Sequence, residues 1–529
     1  MMEPELERPV PMPLLLADKA RRDGERVLAV FDDVTLTYAS LYDQSMALAA
    51  ALAKRGVGKG DPIVILMGNE PEILVSMFAL AYIGALAVPT NPALKGQSLA
   101  HVFAITKARY LIAESQYLSR TYEALGDGNA LERIIVVGRD YIPSQPKEER
   151  YADLMAEKNP LPKLAMERSD PWMVLFTSGT TGVSKGVVLP HQQLSSTSWD
   201  ITRSVFLDED SVFYTFYPLF HLNAIIFGPL GCLISGGKTV VRREFPRENL
   251  LNELHQYKAT HWSALPFLLR GLLALPPRPD DRDIALKIVM CIGVTTEMID
   301  AFERRFGCKL VAGYGATESA MVGLPAPAKL CTAGRLNPRH QLRVVDEEGR
   351  DAPTGKVGEW WIKTHHVYDR MLGYYNMPEA TASAFQDGWF KTGDLGWRDE
   401  QGYLHFTDRV KESLKRRGEN ISTYEVETVL QNYPGVSGAA VVGYREGPGG
   451  EEEVRAFLEL SPGAPPIDHA ALVSHCARHL AYFMVPRYFD TGVQLPRTAL
   501  GKIEKHKLKD FPLSASTFDV KAAGIRVER

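Results

Sequence analysis

The stretch Phe176–Gly186, FTSGTTGVSKG, follows the apolar run Trp172–Phe176 and combines glycines, Thr and Ser hydroxyls and one lysine. Glycine lets the main chain approach an anion and adopt φ > 0, so successive N–H groups can converge on it. The hydroxyls add donors, and Lys185 adds a point charge. The composition suits a phosphate cradle. It is not a Walker A loop, which needs G-x-x-x-x-G-K-[ST], because Ser184 precedes Lys185 and Gly186 follows it. A flexible surface turn has the same composition, so the rest of the chain must decide.

Around this stretch, helix and strand patterns alternate. Leu41, Ser45, Leu48 and Leu52 recur at helical spacing, with Gly56 placed to stop the helix. PIVILMGN (Pro62–Asn69) reads as a buried strand, followed by a helix from about Glu70 and a strand near Ala85–Val88. Further strands are expected at Trp172–Thr177, Thr239–Arg242, Ile288–Ile292 and Lys309–Ala312. This rhythm predicts helix-covered, mostly parallel sheets. After about Ala333, LRVVDEEGR and GEWWIKT read as short antiparallel strands. Beyond Asp408 a charged segment leads into a small α+β unit. Its helix starts near Thr423, and its hairpin pairs Ala439–Tyr444 with Val454–Leu460.

A chain of 529 residues exceeds one core. Its 45% hydrophobic and 23% charged residues are ordinary for a globular protein. A net charge of −4 leaves no broad nucleic-acid footprint. Five scattered cysteines without a CxxC pair, and an N-terminus unlike a signal peptide, point to the cytoplasm. Ile73–Pro89 falls short of the ~20 residues a membrane span needs and reads as a buried helix running into a strand.

Four further segments carry chemistry. GYGATES (Gly313–Ser319) ends a strand, where ligands of α/β folds gather; Glu318 is a hard oxygen donor suited to Mg²⁺, and Tyr314 offers a stacking face. In KTGDLGWRDEQGYLHFTDRVKE (Lys391–Glu412), Asp394 suits two ribose hydroxyls, and Arg409 suits ribose or phosphate. LPRTALGKIEKHKLK (Leu495–Lys509) places Lys502 in a turn, and its cluster Lys505, His506, Lys507 and Lys509 reads as a solvated helix face. YPLFHLNA (Tyr217–Ala224) sets His221 among aromatics, as a core residue or as a pocket ring.

Together and in this order, these motifs resemble the adenylate-forming superfamily of acyl-CoA synthetases, adenylation domains and luciferases, from about Pro9 to Lys509. PLFHLNA and KRRGENIS most resemble its crotonobetaine/carnitine-CoA ligase-like branch. The resemblance implies a large α/β domain, residues 1–408, with a small antiparallel barrel-like part, and a small mobile α+β domain, residues 409–529. It puts Thr177, Ser178, Gly179, Thr180, Thr181, Gly182 and Lys185 on the ATP phosphates, with Thr180 beside the metal. It puts Tyr314, Gly315 and Thr317 on the nucleotide, Gly293 beside adenine and Glu318 on Mg²⁺. Asp394 falls on the ribose position, Arg409 on the arginine that begins the hinge motif, Lys411 on the hinge, Gly418 on the pantetheine tunnel and Lys502 on the adenylation lysine. Two positions depart from the family pattern. Ser184 replaces a proline, which should loosen the loop, and Ile292-Gly293-Val294 stands where many relatives have Gly-Gly-Ala.

The function so implied is ATP- and Mg²⁺-dependent adenylation of a small or medium carboxylic acid, then transfer to coenzyme A. His221, Phe220, Asn223 and Trp262 are expected to flank the acyl group, with His221 also a candidate catalytic residue. The alternatives are an aryl or hydroxycinnamic acid handed to a carrier protein or another nucleophile, and a pseudoenzyme that only binds nucleotide. A homodimer is compatible with the sequence; a carrier-protein partner is not indicated by it.

Overall fold

A computed structural model describes residues 9–525 except 127–129, 164–165, 178–183, 247–248, 293, 295, 328–331, 410–413, 417–418, 446–451, 481 and 498–502. The expectations at Ser178 to Gly182, Gly293, Lys411, Gly418 and Lys502 lie outside the described residues.

The apolar run Pro62–Leu66 forms a strand at the middle of an eight-stranded sheet. It lies parallel to Leu86–Pro89 and Tyr110–Glu114, which are almost wholly buried like itself. Burial on both faces is what a continuous apolar strand needs, and helices supply it. One of them, Pro71–Tyr82, buries ten of its twelve residues and starts with proline, whose missing N–H costs nothing in a first turn. Gly84, at φ +71°, then turns the chain into Leu86–Pro89. The stretch Ile73–Pro89 is therefore core, as its length suggested. Among the described residues no helix is long and apolar enough to cross a membrane.

Pro171–Phe176 runs parallel to Leu86–Pro89 on one side and antiparallel to Gly186–Pro190 on the other. The phosphate-loop sequence thus joins two strands at the point where a parallel sheet turns antiparallel. The larger, fourteen-stranded sheet has the same feature. Val27–Phe31, Lys238–Val241, Val212–Thr215, His261–Ser263, Ile288–Met290 and Lys309–Ala316 pair in parallel. Lys309–Ala316 then pairs antiparallel with Ala320–Pro327, and antiparallel pairing continues to His340–Val345 at the edge. The antiparallel part has its own small core around Tyr314, Trp360 and Leu404, yet its ladder is continuous with the parallel sheet. Gly315 sits in the strand that carries this change, where a Cβ would lie 2.6 Å from the Ala320 carbonyl oxygen.

From Leu414 onward the chain builds a separate core. Helices Thr423–Gln431 and His469–His479 cover a four-stranded sheet whose strands Val436–Arg445 and Glu452–Leu460 form the expected hairpin.

Two buried histidines tie the fold to pH. His191, stacked on Trp172 at 5.1 Å, and His340, whose Nε2 meets the Ser319 carbonyl at 2.9 Å, are each pushed down to about 4 by burial. A depressed imidazole stays neutral when folded and takes a proton only on unfolding. Its stabilising effect is present above the unfolded value of about 6.5 and lost as pH falls towards 4. His191→Phe should therefore flatten the pH dependence of urea unfolding between those limits by about 1.4 kcal/mol per pH unit, one proton's worth. An unchanged slope would show that His191 is protonated in the folded protein.

Candidate active site

The neck of the phosphate loop is closed by hydrogen bonds. Thr177 N–H donates to the Lys185 carbonyl at 3.0 Å, and the Ser184 hydroxyl donates to the Thr177 carbonyl. His101 Nε2 meets the Ser184 carbonyl at 2.8 Å. The expectation that serine in place of proline loosens the loop is thereby corrected at the neck. A proline there would lack the hydroxyl that ties the two sides.

Strand Gly186–Pro190 aims Lys185 across the sheet. Its Nζ lies 4.5 Å from the centroid of the Tyr374 ring. The Tyr374 hydroxyl donates to Glu318 Oε1 at 3.1 Å. Burial pushes the Glu318 carboxyl up, while its own backbone N–H, Tyr374 and the charges of Arg409 and Lys185 pull it down. Thr317 accepts Gln193 Nε2 at its carbonyl, 2.9 Å away, which ties this turn to helix His191–Ser204.

Asp394 and Arg409 are cross-strand neighbours in the antiparallel ladder, with Arg409 Nε 3.2 Å from Asp394 Oδ1. The Tyr314 hydroxyl donates to Asp394 Oδ2 at 2.5 Å. Burial and the Asp394 charge push that phenol up, so it remains a donor at neutral pH. The Tyr314 ring packs edge-on against Trp360 at 4.8 Å. Lys185, Glu318, Tyr314, Asp394 and Arg409 are thus drawn together from segments far apart in sequence. Tyr374 was missed; nothing in GYYN (Gly373–Asn376) marks it.

His221 belongs to a second group. It precedes helix Leu222–Phe227 with its ring 4.5 Å from Phe220, and burial pushes it down to about 4, so it carries no charge at pH 7. Trp262 is 1% exposed within a core cluster. Asn223 is exposed.

At the start of the small core, Asp408 is 2% exposed and accepts from Arg409 N–H at 2.7 Å and Thr423 N–H at 2.5 Å. Lys505 lies 2.8 Å from Glu427 and donates to the Thr423 hydroxyl at 2.7 Å. The solvated basic face is therefore corrected: His506, Lys507 and Lys509 are exposed, and Lys505 turns inward.

A family model described as AMP-binding enzyme matches residues 16–375, and one described as AMP-binding enzyme C-terminal domain matches residues 425–502. The chain belongs to the AMP-binding enzyme family. Among curated relatives of this AMP-binding enzyme is the crotonobetaine/carnitine–CoA ligase of Salmonella paratyphi A, 30% identical over 93% of this chain and 97% of that protein. Among solved structures, a benzoate CoA ligase from Burkholderia xenovorans LB400 is 25% identical with a TM-score of 0.83, covering 94% of this chain and 99% of that one. The O-succinylbenzoate coenzyme A synthetase from Bacillus subtilis, in complex with ATP and magnesium ion, is 25% identical with a TM-score of 0.81, covering 94% and 99%.

The residues fit a nucleotide-borne Mg²⁺. Among the described residues no group of three or more His, Cys, Asp or Glu is placed to hold a metal by itself. A magnesium ion that arrives with phosphates needs only one or two protein carboxylates, and Glu318 lies beside the cation that would face those phosphates.

Proposed function

We propose that the chain is an AMP-forming acid–thiol ligase. It joins a carboxylate to the α-phosphorus of ATP with release of pyrophosphate, then passes the acyl group to the thiol of coenzyme A with release of AMP. The observation that carries this reading is the meeting of two groups, Lys185–Tyr374–Glu318 and Tyr314–Asp394–Arg409, joined by the charge of Arg409 on Glu318, where both sheets change from parallel to antiparallel pairing. Ligands of α/β folds gather beyond the carboxyl ends of parallel strands, and the strands Pro171–Phe176 and Lys309–Ala316 both end here.

In this reading Lys185 and the loop before it hold the phosphates, while Asp394 takes the ribose hydroxyls within reach of Arg409. Mg²⁺, when bound, supplies positive charge at the phosphates. Glu318 would hold it, with Thr180 as a further ligand. A substrate carboxylate is already ionised at pH 7, so no general base is required. His221, neutral beside Phe220, lines the acyl side rather than moving a proton. Positioning and charge stabilisation then supply most of the catalysis. The division at Asp408–Arg409 separates the nucleotide-holding part from the part that carries Lys502 and the Gly418 segment. A cytoplasmic site of action accords with Cys232, Cys291, Cys308 and Cys476, which are free thiols in the fold.

Pyrophosphate release with a panel of acids, with and without coenzyme A, tests the function. Acid-dependent release followed by thioester formation is expected. Release without transfer to coenzyme A would favour a carrier protein or another acceptor, and no release would favour a nucleotide-binding pseudoenzyme. The curated relative supports a compact quaternary ammonium acid, which an aromatic pocket attracts through cation–π contacts. The benzoate and succinylbenzoate ligases favour a flat aryl acid as the second reading. Either should exceed a C16 fatty acid in kcat/KM by at least about tenfold. The reverse order would overturn the compact-acid reading and leave the adenylation chemistry intact.

A further inference from the structure

Tyr374 spans two elements of the phosphate site that come from different motifs. Its hydroxyl reaches Glu318 Oε1 at 3.1 Å, and its ring lies under Lys185 Nζ at 4.5 Å. The residue is 8% exposed. Its backbone is fixed on several sides. Gly373 and Tyr374 pair antiparallel with Val188 and Val187, on the strand that follows the phosphate loop. Tyr374 N–H donates to the Thr381 hydroxyl at 2.8 Å, and Tyr375 N–H donates to the Gly186 carbonyl at 2.7 Å. Met371 N–H donates to the backbone carbonyl of Glu318 itself at 3.0 Å. The segment 371–375 is therefore stitched both to the turn that carries the carboxylate and to the strand that carries the lysine.

Such a tyrosine is a rigid crosspiece. A carboxylate has about four acceptor sites, so the one bond from Tyr374 orients Glu318 without exhausting it. The ring face restrains the ammonium of Lys185 by cation–π attraction without neutralising it. The two contacts use different parts of the side chain and can be removed separately.

We propose that Tyr374 is a positioning residue for adenylation. Its hydroxyl sets the orientation in which Glu318 meets the nucleotide-borne divalent metal, and its ring keeps Lys185 aimed at the phosphates. This rests on the reading of Glu318 and Lys185 given above.

The test uses the full chain with Mn²⁺ as the metal probe. Mn²⁺ binding in the presence of ATP is followed by electron paramagnetic resonance, and ATP binding without divalent metal by calorimetry. Tyr374→Phe keeps the ring and removes the hydroxyl. It should weaken Mn²⁺ binding by roughly ten- to a hundredfold, the usual effect of losing a hydrogen-bond partner of a metal ligand. It should leave metal-free ATP binding as in the native protein. In turnover the KM for metal should rise more than kcat falls. Tyr374→Leu should weaken both kinds of binding. Glu318→Gln is the reference. If it loses Mn²⁺ while Tyr374→Phe binds as the native protein does, the Tyr374 proposal is overturned and the metal assignment stands. If Glu318→Gln also binds Mn²⁺ normally, the underlying reading of the site fails with it. Should Tyr374→Leu not fold, Tyr374→Phe, which conserves the buried ring, carries the test alone.

Discussion

Lys502→Ala is expected to lower acid-dependent pyrophosphate release by about 10²–10³, the usual loss when one donor to a developing anion is removed. Thioester formation from a pre-made acyl-adenylate should proceed close to the native rate. The asymmetry follows from charge. In-line attack on the α-phosphorus crowds negative charge around the transferring group, and an ammonium there lowers the barrier. In the second step a thiolate attacks the acyl carbonyl and AMP leaves, and on the proposed rotation of the small domain Lys502 has by then moved off the phosphate. The chain flanking Lys502 is firmly held. Arg497 bridges Ile503, Glu504 N–H donates to the Pro496 carbonyl at 2.8 Å, and Arg497 lies 2.6 Å from Glu459. Lys505 adds a buried pair with Glu427 three residues later. A side-chain deletion at position 502 leaves all of these in place, so a loss confined to one half-reaction reports on chemistry. The two half-reactions are measured separately by pyrophosphate release and by consumption of synthetic adenylate. An equal fall in both would refute the division of labour.

Lys411→Pro should do the opposite, keeping adenylation and blocking thioesterification. Proline fixes φ near −65° and so removes the backbone freedom a pivot needs. The described residues on either side show what a rotation must break. Ser422 hydroxyl donates to the Thr407 carbonyl, Thr423 N–H to Asp408, and Arg270 donates to Gln431 at 3.0 Å across the two cores. Phe406 meets Tyr424 edge-on at 5.3 Å. Each contact is modest, as a reversible seam requires. Rapid-quench measurement of both steps on one preparation checks the placement. Native thioester turnover in the proline variant would move the pivot elsewhere.

The parallel sheets were legible because apolar runs such as Pro62–Leu66 and Trp172–Phe176 are too continuous for a half-exposed strand. The helix from Glu70 and the hairpin across residues 446–451 were legible from local turn and breaker residues. Pairings between distant edges were not. Hydrophobic pattern says which face of Ala320–Pro327 is buried, but not that its ladder extends the parallel sheet. Charge partners were equally hidden. Lys505 looks like its exposed neighbours until Glu427, on another helix, is brought beside it. The effect of Ser184 could not be read from a comparison with proline alone, because it depends on where the hydroxyl points. Tyr374 lies 56 residues from Glu318 in sequence, and the two meet through the Tyr374 hydroxyl and the Met371 N–H bond to the Glu318 carbonyl, neither of which a local pattern announces.

Among the described residues, the small core that begins at Leu414 shares no buried apolar side chain with the clusters that pack the two large sheets. On the proposed division of labour, substitutions that reshape the walls around the acyl group leave the packing of the small core untouched, so acid preference and thiol transfer are free to diverge separately.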